Sequence, residues 1–174
     1  MIQAYNELNK LESKVGENMA KNDFHTFNEC MKKEDNSLTA SMEDYLEMIY
    51  RLSINTGFTR INELSGALNV QPPSATKMVQ KLTELKLLKY EKYGIILLEQ
   101  EGKNLGEVLL NRHNTIEKLL RILDIPEGEI LEETEKIEHT ISKKTTMCFQ
   151  DFIDFMKNNP NIVDEFKIYR NYLK

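Results

Sequence analysis

Apolar side chains recur every three or four residues along most of this chain, the period of an amphipathic helix. Ile2, Tyr5, Leu8, Leu11, Val15 and Met19 draw one narrow stripe through residues 1–36, followed by Phe24, Phe27, Cys30 and Met31. The stripe predicts a helical extension that packs on the main body or on a second subunit. The charged run Lys32-Lys33-Glu34-Asp35-Asn36-Ser37 reads as a linker. A helix then follows from Ser41, a plausible N-cap with Asp44 three residues on. Its apolar face is Met42, Tyr45, Leu46, Ile49, Tyr50 and Leu52, and it should end near Asn55-Thr56-Gly57.

Next the pattern shortens. Ile61, Leu64 and Leu68 predict a small helix from Arg60 to Leu68, and Asn69-Val70-Gln71 a tight turn. Pro72 and Pro73 open the following helix, where a first turn needs no backbone N–H for the ladder. Ala75, Met78, Val79, Leu82 and Leu85 should face in, with Ser74, Thr76, Lys77, Gln80 and Lys81 facing out. Two short helices joined by a turn, the second offering small polar and basic side chains, form a helix-turn-helix pattern. The bland alternative is a helical hairpin with a solvated face. Leu87-Leu88-Lys89-Tyr90 and Ile95-Ile96-Leu97-Leu98 read as two strands joined by Lys92-Tyr93-Gly94, and a hairpin in that place is a wing. Lys92 and Tyr93 at its tip can reach a phosphate or the minor groove.

From Gln100 the helical period returns. A long helix carries Leu105, Val108, Leu109, Ile116, Leu119, Leu120 and Leu123 and should stop before Pro126. Three more are expected: Pro126 to Ser142, Thr145 to Met156, and Ile162 to Leu173, the last two separated by Pro160. Phe149, Phe152, Phe155, Phe166 and Tyr169 on these terminal helices exceed what a small domain needs for itself, which points to a subunit interface.

Composition narrows the class. The 174 residues fit one large or two small domains, and seven Gly with four Pro leave room for many helices. Cys30 and Cys148 show no pairing pattern, the N-terminus lacks a signal-peptide order, and no apolar run reaches membrane-spanning length, so a reduced, cytoplasmic protein is expected. The net charge of −5 argues weakly against nucleic acid, but it is unevenly spread. Residues 59–93 hold six basic and three acidic side chains, a net of +3, whereas residues 94–140 hold five basic and eleven acidic, a net of −6. The first segment suits phosphate contact and the second cation capture.

The candidate chemistry centres on Glu135-Lys136-Ile137-Glu138-His139. On a helix, Glu135, Glu138 and His139 share one face. Two carboxylates with an imidazole suit a hard divalent ion, though an isolated motif of this kind is commonly a solvated acidic face. Asp44 and Glu47 repeat the i, i+3 spacing, a placement that also simply favours the helix dipole. His113 stands on a third helix, with a structural buried histidine as its ordinary reading.

Several stretches together carry a family resemblance: Ser41-Met42-Glu43-Asp44-Tyr45, Thr76-Lys77-Met78-Val79-Gln80-Lys81-Leu82, Tyr90-Glu91-Lys92-Tyr93, and Glu135 with Ile137-Glu138-His139. From about Ser41 onward the chain resembles the metal-dependent regulators related to the diphtheria toxin repressor, in their manganese-responsive branch. The resemblance implies a mainly α fold. An extension at 1–37 would precede a winged helix-turn-helix DNA-binding domain at 38–100 and a helical dimerisation and metal-binding domain at 101–174. It implies a homodimer acting on double-stranded palindromic operator DNA, with no membrane and no small-molecule substrate.

The implied metal ligands are Asp44, Glu47, His113, Glu135, Glu138 and His139, holding Mn²⁺, two ions per subunit, with Fe²⁺, Co²⁺, Zn²⁺ or Cd²⁺ as substitutes. In the iron-responsive branch a methionine and a cysteine stand where this chain has Asp44 and Glu135. Glu117, at an ancillary ligand position of that branch, is read here as a surface acid. The implied DNA contacts are Arg60, Pro73, Ser74, Thr76, Lys77, Gln80, Lys81, Lys92 and Tyr93. Three features depart from the family pattern: the extension, a wing glycine one residue early at Gly94, and a chain end before the SH3-like domain of the iron branch. The expected function is repression of metal-uptake genes when manganese is abundant, with an iron- or zinc-responsive regulator as the alternative. A di-metal hydrolase is a remoter reading, since the sequence offers neither a separate acid/base group nor a Gly-rich phosphate loop.

Overall fold

A computed structural model of the chain describes residues 38–172. The apolar stripe and linker expected within residues 1–37 lie outside the described residues, as does Leu173. Helix α1 spans Ala40–Ser53. Its N-cap is Thr39 rather than Ser41: Thr39 is still extended (φ −69, ψ 154), and its side chain accepts from the Met42 amide at 3.3 Å. Both hydroxyls can cap, and the one at the last extended residue does so. Tyr45, Leu46 and Ile49 are the buried apolar residues of α1.

Strand β1 (Thr59–Arg60) leads into α2 (Ile61–Ala67). Glu63 anchors the junction by accepting from the Arg60 amide at 3.1 Å and the Thr59 hydroxyl at 2.9 Å. The chain reverses through Asn69, which takes the left-handed conformation (φ 52), and enters α3 (Pro72–Glu84) with Pro72 in the first turn. Ala75, Val79 and Leu82 are buried and hold α3 on the core. Leu85 does not join them: it is 50% exposed. The helix ends at Glu84, Leu85 is its C-cap (φ −78, ψ 2), and Lys86 then turns the backbone left-handed (φ 61).

Strands β2 (Leu88–Tyr90) and β3 (Ile95–Leu98) pair antiparallel, with Leu88 opposite Leu98 and Tyr90 opposite Ile96. β1 adds to the other edge of β3, giving the order β1-β3-β2. The connection is a short 3₁₀ turn, Lys92–Gly94, in which Tyr93 (φ 62) as well as Gly94 (φ 73) lies in the left-handed region.

Helix α4 (Gln100–Ile122) serves two cores. Toward its start Leu105 and Leu109 complete the core built by α1, α2, α3 and the sheet. Toward its end Ile116 and Leu120 pack with Ile130, Ile137 and Ile141. The close crossing of α1 over α4 needs Gly106, where a Cβ would stand 2.6 Å from the Tyr50 Cβ. Helix α5 (Glu127–Glu138) follows, then α6 (Lys143–Asn158) and α7 (Pro160–Tyr172). Ser142 caps α6 by accepting from the Thr145 amide at 3.2 Å, two residues earlier than the apolar pattern predicts. In α6, Ile153 and Met156 are buried, whereas Phe155 is 52% exposed and Ile168 and Tyr169 of α7 exceed 60%. Among the described residues, no helix is long and apolar enough to cross a membrane.

Candidate metal centre and DNA-binding face

His113 sits on α4 between Leu109 of the first core and Ile116 of the second, so it occupies the seam between them. Asp44 and Glu47 reach the seam from α1. Glu135 and Glu138 reach it from the last turn of α5. His139 is the C-cap of α5, yet its backbone remains right-handed (φ −81, ψ −3), so it continues the same face. All six side chains named from the sequence therefore converge. They form two donor groups: Asp44, Glu135, Glu138 and His139, and Glu47, His113 and Glu138. Within each group the donor atoms lie within 4.8 Å of one another, and Glu138 belongs to both. Several of them line a cavity of about 410 Å³ together with Met48, Ala67, Leu68 and Leu131.

The donor set fits a hard divalent ion on chemical grounds. Four carboxylates and two imidazoles offer oxygen and nitrogen, with no sulfur. Three of the six are nearly sealed from water: Glu47, His113 and Glu138 are 6%, 3% and 2% exposed. Buried carboxylates need compensating positive charge. Here the imidazoles supply it in part. Glu138 accepts from His113 Nδ1 at 3.0 Å, and Asp44 from His139 Nε2 at 2.7 Å. The hydrogen bonds to Asp44 and Glu43 push the His139 pKa up to about 10, so its imidazole is charged at neutral pH. Burial works against the charged form of His113, but the hydrogen bond and charge of Glu138 outweigh it and its pKa is raised. Burial, and then the charge of Glu138, also raises the Glu135 pKa. This is a site short of cations.

Four residues around it were not singled out as site residues in the sequence. Glu43 accepts from His139 Nδ1 at 2.8 Å and from Arg112 at 2.6 Å, which fixes the imidazole with Nε2 toward Asp44. Burial raises the Glu43 pKa, but its hydrogen bonds to His139 and Arg112 leave it lowered. Arg51 holds Glu47, with its Nε donating to Oε1 at 2.8 Å. Only the second of these pairs was legible as sequence, since Glu47 and Arg51 are i, i+4 on α1. Glu117 is less a surface acid than expected. Its side chain is 23% exposed and lies 3.6 Å from His113 Nε2, although Arg121 also holds it, at 3.1 Å.

The candidate DNA contacts lie on α3, at the start of α2 and on the wing. Pro73, Ser74, Lys77, Gln80 and Lys81 are exposed along α3. Thr76 is half-buried, and its hydroxyl donates to the Pro72 carbonyl at 2.9 Å. Arg60 is exposed at the start of α2, its guanidinium 5.8 Å from the centre of the Phe58 ring. Lys92 is exposed at the wing tip, and Tyr93 beside it is 90% exposed.

Known proteins match this arrangement along both halves. Residues 37–96 match the family described as iron dependent repressor, N-terminal DNA binding domain, and residues 99–166 its metal binding and dimerisation domain. The HTH-type transcriptional regulator MntR of Lysinibacillus sphaericus is 42% identical over 125 residues, covering 72% of this chain and 90% of that protein. The regulator of the same name from Oceanobacillus iheyensis is 39% identical over 129 residues, covering 74% and 88%. Among solved structures, the manganese regulator SloR superposes with a TM-score of 0.59 at 31% identity, covering 68% of this chain and 55% of that one. ScaR with bound Zn²⁺ gives 0.55 at 32% identity, covering 66% and 54%. The match thus spans little more than half the length of those solved chains.

Proposed function

The chain belongs to the family of iron-dependent repressors, metal-responsive regulators of transcription rather than enzymes, and from that premise we propose that its own effector is Mn²⁺. In this reading each subunit takes two ions through Asp44, Glu47, His113, Glu135, Glu138 and His139, and the homodimer acts in the cytoplasm as a repressor of metal uptake. Fe²⁺, Co²⁺, Zn²⁺ and Cd²⁺ are substitutes of lower physiological weight. The observation that carries the reading is the sharing of Glu138 between two donor groups built wholly of carboxylate and imidazole. Two relatives named MntR at about 40% identity and a solved manganese regulator support the same ion.

The bound ions supply positive charge and a cross-link where acids now face one another. What the chain does follows from where its ligands stand. Asp44 and Glu47 ride on α1, which shares a core with α3, so holding α1 against α4 and α5 holds the recognition helix too. In a dimer, that fixes the spacing between two α3 helices. Two-fold half-sites on DNA demand a set spacing, so restricting the motion raises operator affinity. Lys77 and Lys81 then neutralise phosphates, and Gln80 reads a base edge in a palindromic operator.

The test is fluorescence anisotropy of a labelled duplex taken from upstream of a cation-transporter gene, titrated with protein at rising Mn²⁺. Affinity should climb by at least about tenfold with metal, the scale of a typical coupling between two sites. Glu138→Ala, which removes the shared ligand, should abolish the climb. A metal-independent isotherm, or a full response in Glu138→Ala, ends the proposal.

A further inference from the structure

Away from the seam, α4 and α6 enclose a crevice of about 400 Å³ that the metal centre does not use. Arg112 and Lys118 line it from α4 and Lys143 from the first turn of α6, and no acid lines it. Composition predicts the reverse, since acids outnumber bases eleven to five across residues 94–140. Among the described residues, neither Lys118 nor Lys143 has an ion-pair partner. Asp154, one turn beyond Gln150, feels the charge of Lys118 but is held by Gln150 at 3.0 Å and by Lys157 at 3.5 Å. Like charges gathered along one crevice repel each other, and an anion between them removes that cost.

The crevice is built as well as charged. The buried Thr115 of α4 donates to Gln150 Oε1 of α6 at 3.3 Å, which ties the two helices together beside it. Arg112 gives one terminal nitrogen to Glu43 at 2.6 Å, and its Nε has no partner. A guanidinium carries five N–H donors, so donors remain for an oxyanion. The rest of the lining is not only polar: Val108 and Met147 are 46% and 60% exposed. Cations beside bare apolar surface suit an anionic head with an apolar tail. α6 starts here, and the positive end of its dipole favours the same charge. The aromatic side chains of α6 that suit a subunit interface leave on another side. Phe152 and Phe155 follow Gln150 by two and five positions, about 200° and 140° round the helix.

We infer that the crevice between α4 and α6 is a binding site for a small organic anion, a carboxylate bearing a short apolar tail. Lys118, Lys143 and Arg112 meet the carboxylate, and Val108 and Met147 cover the tail. The site is separate from the metal centre and does not depend on it. Arg112 nevertheless belongs to both neighbourhoods, because its contact with Glu43 reaches α1, the helix that carries Asp44 and Glu47.

Amide shifts of the ¹⁵N-labelled full chain, without metal, read this directly with three probes: hexanoate, its uncharged amide hexanamide, and inorganic phosphate. Hexanoate should shift the amides of Thr115, Thr146 and Met147 and saturate with a Kd on the order of 1 mM or below, the scale open to a ligand of that size. Hexanamide lacks the charge and phosphate the tail, so each should bind at least about tenfold more weakly. Lys118→Gln and Lys143→Gln should each weaken hexanoate by about threefold, and the pair by about tenfold, with the loss shrinking at high salt. Both lysines are exposed, and denaturant midpoints confirm that the variants fold; if the double variant does not, the single ones decide. Hexanamide binding as tightly as hexanoate overturns the inference, as does phosphate binding as tightly, which shows a bare charged patch. Lysine variants that bind hexanoate like the wild type overturn it too. So does an intermolecular Overhauser contact from the Met147 methyl in a mixed-labelled sample, which gives the crevice to a second copy of the chain.

Discussion

Glu135 is the half-exposed member of the donor set and the one through which softness can be introduced with least damage to packing. Replacing it with cysteine trades a hard oxygen for a soft thiolate. Glu135→Cys should move the preference between Co²⁺ and Mn²⁺ by about tenfold or more toward Co²⁺ in competition titrations, following ligand softness. An unchanged ratio would show that geometry rather than donor chemistry sets the choice. His139 leads to a second outcome. Its folded pKa of about 10 lies well above the ordinary value of about 6.5, so the charged imidazole stabilises the metal-free fold fully below about pH 6.5. That contribution is lost as pH rises through about 10. An ion needs the bare nitrogen, so loading must expel the proton at neutral pH, and apparent Mn²⁺ affinity should rise with pH between about 6.5 and 8.5, by up to about tenfold per unit for each proton released. Binding heats in buffers of different ionisation enthalpy count those protons; a count of zero at pH 7.5 refutes the account. Spacing placed Glu135, Glu138 and His139 on one helix face and Asp44 with Glu47 on another, whereas His113 and the gathering of all six into one site came from the family resemblance. Glu43 and Arg112 escaped because the contact between them crosses from α1 to α4, 69 positions apart, where no periodicity reaches.

Elements bring those faces together, and the crossing of α1 over α4 sets how closely. Gly106 is the contact point, with a Cβ there only 2.6 Å from Tyr50 Cβ, on the rigid end of a side chain. Gly106→Ala should therefore lose about 1–3 kcal/mol of stability from overpacking, despite the gain of up to about 1 kcal/mol that alanine gives a helix interior. It should also lift Asp44 and Glu47 away from His113 and weaken Mn²⁺ binding. Gly128 on α5 is the control, because a Cβ there meets nothing within 4 Å, and Gly128→Ala should be neutral or mildly stabilising. Denaturant midpoints for the two variants check the contrast, and equal shifts would refute the close-approach argument. At this scale the helices were legible from their apolar period, and their ends were not. Thr39 and Ser41 are both competent caps, and only the backbone at Thr39 decides between them. β1 is two residues long, too short to show alternation, and it exists because β3 offers it an edge. Leu85 kept the helical period in sequence while the backbone left the helix at Lys86.

Across the whole described molecule, α4 joins two cores of unequal size. The first gathers thirteen buried apolar residues from α1 to α4, whereas the second gathers Ile116, Leu120 and Ile130. A core that small cannot hold α5 strongly by itself, since burial of each large side chain contributes roughly 1.5–3 kcal/mol against the entropy of ordering the helix. In the metal-free protein α5 should accordingly open at lower free energy than α3, in the manner of a local cooperative unit. Three of the six proposed ligands are Glu135, Glu138 and His139 at the end of α5, so ions bound there can bind only the closed form. Their effect on α5 is then a linkage quantity: at a free ion concentration of about 100 Kd, closure gains about 2.7 kcal/mol, or about a hundredfold in exchange protection. Hydrogen exchange followed residue by residue with and without Mn²⁺ measures it. Amides of α5 should slow by that factor, while amides in the middle of α3, protected already by the larger core, should change much less. Equal protection of α3 and α5 in the metal-free protein, or an Mn²⁺ effect confined to α3, would mean that the seam at His113 does not separate two units of different stability, and that the ions do not act by closing it.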